Sequence, residues 1–182
     1  MPAPEDVELT FPEDGGCFGC SPANPSGLQL RFRRHGDRVT ARYRIDDRFH
    51  GAPGIAHGGI AATILDEASC AAVVFVADRH VVTGELTVRY ERPCPVELPL
   101  DVVASIVDRT HPRYWVIEAE IHHDGVRVAR SSGKFFLRDD APVAPGEDRS
   151  WPDRWQAFAS SSSGCGSLDR PPEPCSPTGA PR

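Results

Sequence analysis

Residues 57–77 read His57-Gly58-Gly59-Ile60-Ala61-Ala62-Thr63-Ile64-Leu65-Asp66-Glu67-Ala68-Ser69-Cys70-Ala71-Ala72-Val73-Val74-Phe75-Val76-Ala77. The stretch decides the fold. Ala61, Ala62, Leu65, Ala68, Ala71 and Ala72 favour a helix over a strand, and so does the length. The run is long enough to span a bilayer. However, Asp66 and Glu67 lie at its centre, where each charge costs about 2.5–3.5 kcal/mol on insertion. The segment therefore reads as a helix of a soluble protein without a membrane span. It is apolar nearly all round, so other structure must enclose it.

Strand patterns lie on both sides. Leu28, Leu30 and Phe32 alternate with polar residues, His35-Gly36-Asp37 turns, and Val39, Ala41, Tyr43 and Ile45 alternate again. That is a hairpin. After the helix come four runs. Val82, Leu86, Val88 and Tyr90 alternate with Thr83, Glu85, Thr87 and Arg89. Leu100 to Ile106 and Trp115 to Ile121 follow, with Val126 to Arg138 last, after an Asp124-Gly125 turn. The order β-β-α-β-β-β-β with short turns predicts an α+β fold. In it a curled antiparallel sheet of five to six strands wraps around one long helix. Residues 1–27 read as a mainly loop segment, 28–140 as the domain, and 141–182 as a Pro/Ser-rich, largely disordered tail. Trp151 to Ala159 are expected to add a helical turn at most.

A chain of 182 residues with 40% hydrophobic and 25% charged residues suits one domain. Its net charge of -6 argues against a nucleic-acid partner. The acidic, Pro-bearing N-terminus is no signal peptide, so a cytoplasmic location with reduced thiols is expected for the six cysteines. Cys17-Phe18-Gly19-Cys20 has metal-ligand spacing. Without a second such pair it reads as a structural loop, and no metal or cofactor is expected. Nucleophile-elbow, zincin, P-loop and dinucleotide signatures are missing from the sequence.

The chemistry concentrates on the helix. Asp66 and Glu67 point about 100° apart, so at most one faces a given cleft. Each needs a partner, water or a raised pKa, and a purely structural network satisfies that need as well as catalysis does. Gly58 and Gly59 open the helix with unblocked N–H donors at its positive end, suited to polarising a carbonyl. Asp66 lies about 12 Å further along, too far for both to reach one carbonyl within one chain. A second copy closes that gap, so the chemistry asks for a dimer. His57 is an acid, a base or a hydrogen-bonding loop residue. Thr83 either faces inward or is an exposed strand threonine.

Gly51-Ala52-Pro53-Gly54-Ile55-Ala56-His57-Gly58-Gly59 followed by Ala62-Thr63-Ile64-Leu65-Asp66 resembles the hotdog-fold acyl-CoA thioesterases of the phenylacetate-pathway and THEM-like branch. Val82-Thr83-Gly84-Glu85-Leu86-Thr87-Val88-Arg89-Tyr90-Glu91-Arg92-Pro93 is similar to that family's strand after the helix. Cys17 to Cys20 with Asn24-Pro25-Ser26-Gly27-Leu28 is similar to its opening segment. The resemblance covers about residues 15–138. It implies hydrolysis of acyl-CoA, with Asp66 as general base or nucleophile across a dimer interface and Glu67 in reserve. It further implies Gly58 N–H as oxyanion donor, His57 as shaper of the carbonyl pocket and Thr83 as the hydroxyl that orients water. Gly59, His50, Arg89 and Ser131 are the substrate-binding candidates, with Arg92 and the Arg130–Lys134 strand also near the expected CoA phosphates. Some relatives carry an Asn before the His. Here His50-Gly51-Ala52 has none, so that role is unfilled or falls to His50. The resemblance implies a homodimer and leaves a tetramer open. A non-catalytic acyl-CoA-binding module and a hotdog dehydratase are the alternatives.

Overall fold

A computed structural model describes residues 7–9 and 16–138. Its elements are β1 (Val7–Leu9), β2 (Phe32–His35), β3 (Arg38–Arg44), a 3-10 turn (Asp47–Phe49), β4 (His50–Ala52), β5 (Ile55–Ala56), α1 (Gly58–Ala77), β6 (Val81–Tyr90), β7 (Pro99–Asp108), β8 (Tyr114–His123) and β9 (Val126–Leu137). Seven strands form one antiparallel sheet in the order β1-β2-β3-β7-β8-β9-β6, and β4 pairs with β5 beside it. This is the expected hotdog arrangement, with α1 packed against the main sheet.

Small residues seat the helix. Val39, Ala104, Ala119, Ser131 and Val88 stand in one row across β3, β7, β8, β9 and β6. The next row runs Ile106, Ile117, Gly133 and Leu86. On the helix, Ala61, Ala68, Ala71 and Ala72 are buried with Ile64, Leu65 and Val73. Alanine facing alanine lets helix and sheet approach closely. Ile64 and Leu65 are fully buried, each worth about 1.5–3 kcal/mol. The helix is long and apolar enough to cross a membrane by length and composition. Here it is the helix that covers the sheet. Asp78 ends it in the left-handed conformation, at φ 52°.

The structure departs from the sequence reading in four places. First, β1 lies within the segment read as loop, which makes the main sheet seven strands and not five to six. Second, Leu28 and Leu30 are buried but lie outside any strand. Their N–H groups bond to the carbonyls of Phe18 (2.7 Å) and Gly19 (2.9 Å), so they dock on the Cys17–Cys20 turn instead of on a sheet neighbour. Third, Gly51, Pro53 and Gly54 suit a loop, yet this stretch forms the small β4–β5 pair. Fourth, Val82 is exposed where its alternation with Leu86 predicted burial. The register of β6 against β9 shifts between Thr83 and Glu85. This bulge at Gly84 reverses the alternation, so Thr83 shares a face with Leu86 and Val88. A side chain at Gly84 would collide with the Phe136 ring. The turn expected at Trp151 to Ala159 and the 141–182 tail lie outside the described residues.

Candidate functional site

The N-terminus of α1 is organised by His57. Its backbone is extended (φ -60°, ψ 135°) and its Nδ1 accepts the Gly59 N–H at 3.0 Å, capping the helix. A ring that accepts at Nδ1 carries its proton on Nε2, which points away from the cap. The Gly59 N–H is therefore already used, contrary to the expectation that both glycine donors stand free. Among the described residues, no hydrogen bond engages the Gly58 N–H. The carbonyl of Gly58 accepts from the Tyr90 hydroxyl at 2.8 Å. Gly58, Ala61, Tyr90, Arg92 and Cys94 help line a cavity of about 330 Å³ at this end of the helix.

Two turns further on, the adjacent acids diverge as helix geometry requires. Asp66 turns toward β6, where the Thr83 hydroxyl donates to its Oδ1 at 2.7 Å. The Cys70 thiol lies 3.9 Å from the same hydroxyl. Burial raises the Asp66 pKa, and the Thr83 hydrogen bond opposes that rise. Glu67 turns the other way, to the Cys17–Cys20 turn, where the Cys17 thiol donates to its Oε2 at 3.5 Å. Burial pushes the Glu67 pKa up to about 7.

The remaining candidates are scattered. His50 is exposed at the start of β4, its Nδ1 beside the Asp47 carbonyl. Arg89 is exposed on β6 opposite Arg130 and does not line the cavity. Ser131 is buried on the helix-facing side of β9, and among the described residues its hydroxyl has no hydrogen-bond partner. Tyr90 was missed as a functional residue. Alternation assigned it to the inward apolar face of β6, but it is 52% exposed with its hydroxyl on the helix terminus. Only its aromatic-plus-hydroxyl character at the end of the run hinted at such a role. Nothing in the sequence marked Gly84 as the residue that turns Thr83 inward.

Residues 53–130 match the model of the thioesterase superfamily. No curated protein matches the chain. Solved structures do. One, described as a thioesterase superfamily protein, is 22% identical. The match covers 68% of this chain and 60% of that one, with a TM-score of 0.62. A phenylacetic acid degradation-related protein of Ralstonia eutropha JMP134 is 20% identical over 65% of this chain and 92% of its own, with a TM-score of 0.56. A protein of Streptococcus pneumoniae TIGR4 described as a hypothetical thioesterase, solved with coenzyme A, is 22% identical over 57% and 82%, with a TM-score of 0.52. The resemblance read from the sequence is thus matched by a family model and by shared fold.

Proposed function

We propose that the chain hydrolyses acyl-CoA thioesters to a free acid and CoA, acting as a homodimer in the cytoplasm. The observation that carries this reading is the pair of bonds at the two ends of β6. Thr83 holds Asp66 at one end, and Tyr90 holds Gly58 at the other. Among the described residues, β6 is an edge strand of ten residues, paired with β9 on one side only. Such an edge favours pairing with a second copy. Antiparallel self-pairing about a twofold axis between Leu86 and Thr87 sets Thr83 of one chain beside Tyr90 of the other. Asp66 then faces Gly58 of the partner subunit, and the gap of about 12 Å along one helix ceases to matter.

The chemistry follows. With Oδ1 held by Thr83, the other Asp66 oxygen is left to take a proton from water. The water oxygen bonds to the thioester carbon, and the carbonyl electrons move to oxygen beside the free Gly58 N–H. When this intermediate collapses the C–S bond breaks, and CoA leaves as a thiolate that takes up the proton. Arg89 and Arg92 at the end of β6 supply cations for the CoA phosphates. His57 and Gly59 keep the helix terminus rigid and bare. Coenzyme A bound to the pneumococcal structure supports this substrate class.

The test is free-thiol release from short, long and aromatic acyl-CoAs, with wild type and Asp66→Asn side by side. The variant is expected to lose about 100-fold or more in kcat with unchanged circular dichroism. Equal rates would remove Asp66 from the mechanism. No release from any substrate by wild type would favour the non-catalytic binding module.

A further inference from the structure

Glu67 is a half-buried carboxyl that the proposed hydrolysis does not use. Its neighbours are the thiols of Cys17 and Cys20. One carboxylate oxygen and the two sulfurs all lie within 4.8 Å of one another. Among the described residues, no Arg or Lys pairs with Glu67. We propose that Cys17, Cys20 and Glu67 form a binding site for a thiophilic divalent cation of the zinc class.

Three features carry the assignment. The donor set is the first: two thiolates select zinc-like ions over magnesium or calcium, and a carboxylate is an ordinary third ligand. Spacing is the second. A tetrahedral shell with Zn–S near 2.3 Å sets its donors about 3.5–3.8 Å apart, so an ion would draw the wider pairs in by about 1 Å at most. The 3.5 Å between the Cys17 sulfur and Glu67 Oε2 already meets that spacing. The third is how the turn is built. Gly19 stands between the cysteines, and a Cβ there would collide with the Glu67 carboxylate. Glycine is what admits the third ligand. Binding would release the protons of the thiols and the carboxyl, and the fourth position would go to water. The ion would staple the N-terminal turn to the middle of α1, one residue from Asp66. The sequence reading expected no metal because it sought a second cysteine pair. The third donor comes from the helix, 47 positions after Cys20.

The test uses the full chain, reduced and stripped with a chelator, then titrated with Co²⁺. One equivalent should bind with a thiolate-to-cobalt charge-transfer band and the intense visible absorption of tetrahedral cobalt. Zn²⁺ should displace it and raise the Tm. Cys17→Ser, Glu67→Gln and Gly19→Ala should each weaken Zn²⁺ binding by about tenfold or more, and Cys94→Ser should not. Absence of the charge-transfer band in wild type overturns the site, whether or not the variants fold. So does equal cobalt ligation in the Cys17→Ser, Cys20→Ser double variant, or a Cys17–Cys20 disulfide that persists under reductant. These readouts do not depend on thioester hydrolysis, so either reading can fail alone.

Discussion

Asp66 has two opposed influences on its proton. Burial raises its pKa from 3.8, and the Thr83 hydroxyl lowers it. If Asp66 acts as a base, activity requires the carboxylate. The acid limb of the pH–rate profile should then lie above pH 3.8. Thr83→Val removes the lowering influence, so the limb should move to higher pH and kcat should fall by about 10- to 100-fold. A limb that stays in place would show that Thr83 does not act through Asp66. Glu67 is raised too, from 4.5 to about 7. For an acid raised on folding, the stability it contributes is fully present below the unfolded pKa and is lost as pH rises through the folded one. Cys17 is coupled to it, so the comparison belongs in a Cys17→Ala background without metal. There, going from pH 5 to pH 8 should lower the Tm by a few degrees more with Glu67 than with Gln.

At the scale of elements, the bulge in β6 positions the Asp66 contact. An unbroken period of two would put Thr83 on the same face as Glu85 and Thr87, away from the helix. Gly84 absorbs the extra residue under the Phe136 ring. Gly84→Ala should cost about 1–3 kcal/mol in denaturant unfolding by overpacking, and should reduce turnover along with it. Unchanged stability would mean that Phe136 swings aside freely. The opening of α1 is a second such device. Gly58 is the first helical residue after the His57 cap, where proline is tolerated, and His57 already has the extended backbone that precedes proline. Gly58→Pro therefore removes one N–H with little harm to the helix. Far-UV circular dichroism should be retained while kcat falls by about 100-fold.

At the scale of the whole molecule, the proposal brings the two halves of the site together across a twofold axis. Asp66→Asn and Gly58→Pro disable opposite halves. A mixed dimer keeps one site with both groups intact and one with neither. Subunit exchange of the two inactive proteins at equal amounts should restore about a quarter of wild-type activity. No recovery despite demonstrated exchange would place both groups in one chain. Light scattering should give a dimer mass for the wild type.

How much was legible follows from how each residue acts. The sequence by itself determined the helix, the sheet that covers it and the divergence of Asp66 from Glu67. These rest on short-range periods of 2 and 3.6 residues and on local propensity. The distance from Gly58 to Asp66 is likewise a consequence of helix rise, and the proposal of a second chain starts from it. Tertiary structure alone decided what each acid touches. Thr83 meets Asp66 because a bulge shifts register by one residue, and a strand pattern does not announce where its phase slips. Leu28 and Leu30 alternate like a strand yet dock on a turn, because burial period constrains side chains and not the partner of the backbone. Glu67 meets Cys17 and Cys20 across some fifty residues through a glycine whose use is visible only once the helix lies against it. Contacts between elements distant in the chain depend on packing, and packing is settled by the whole core at once.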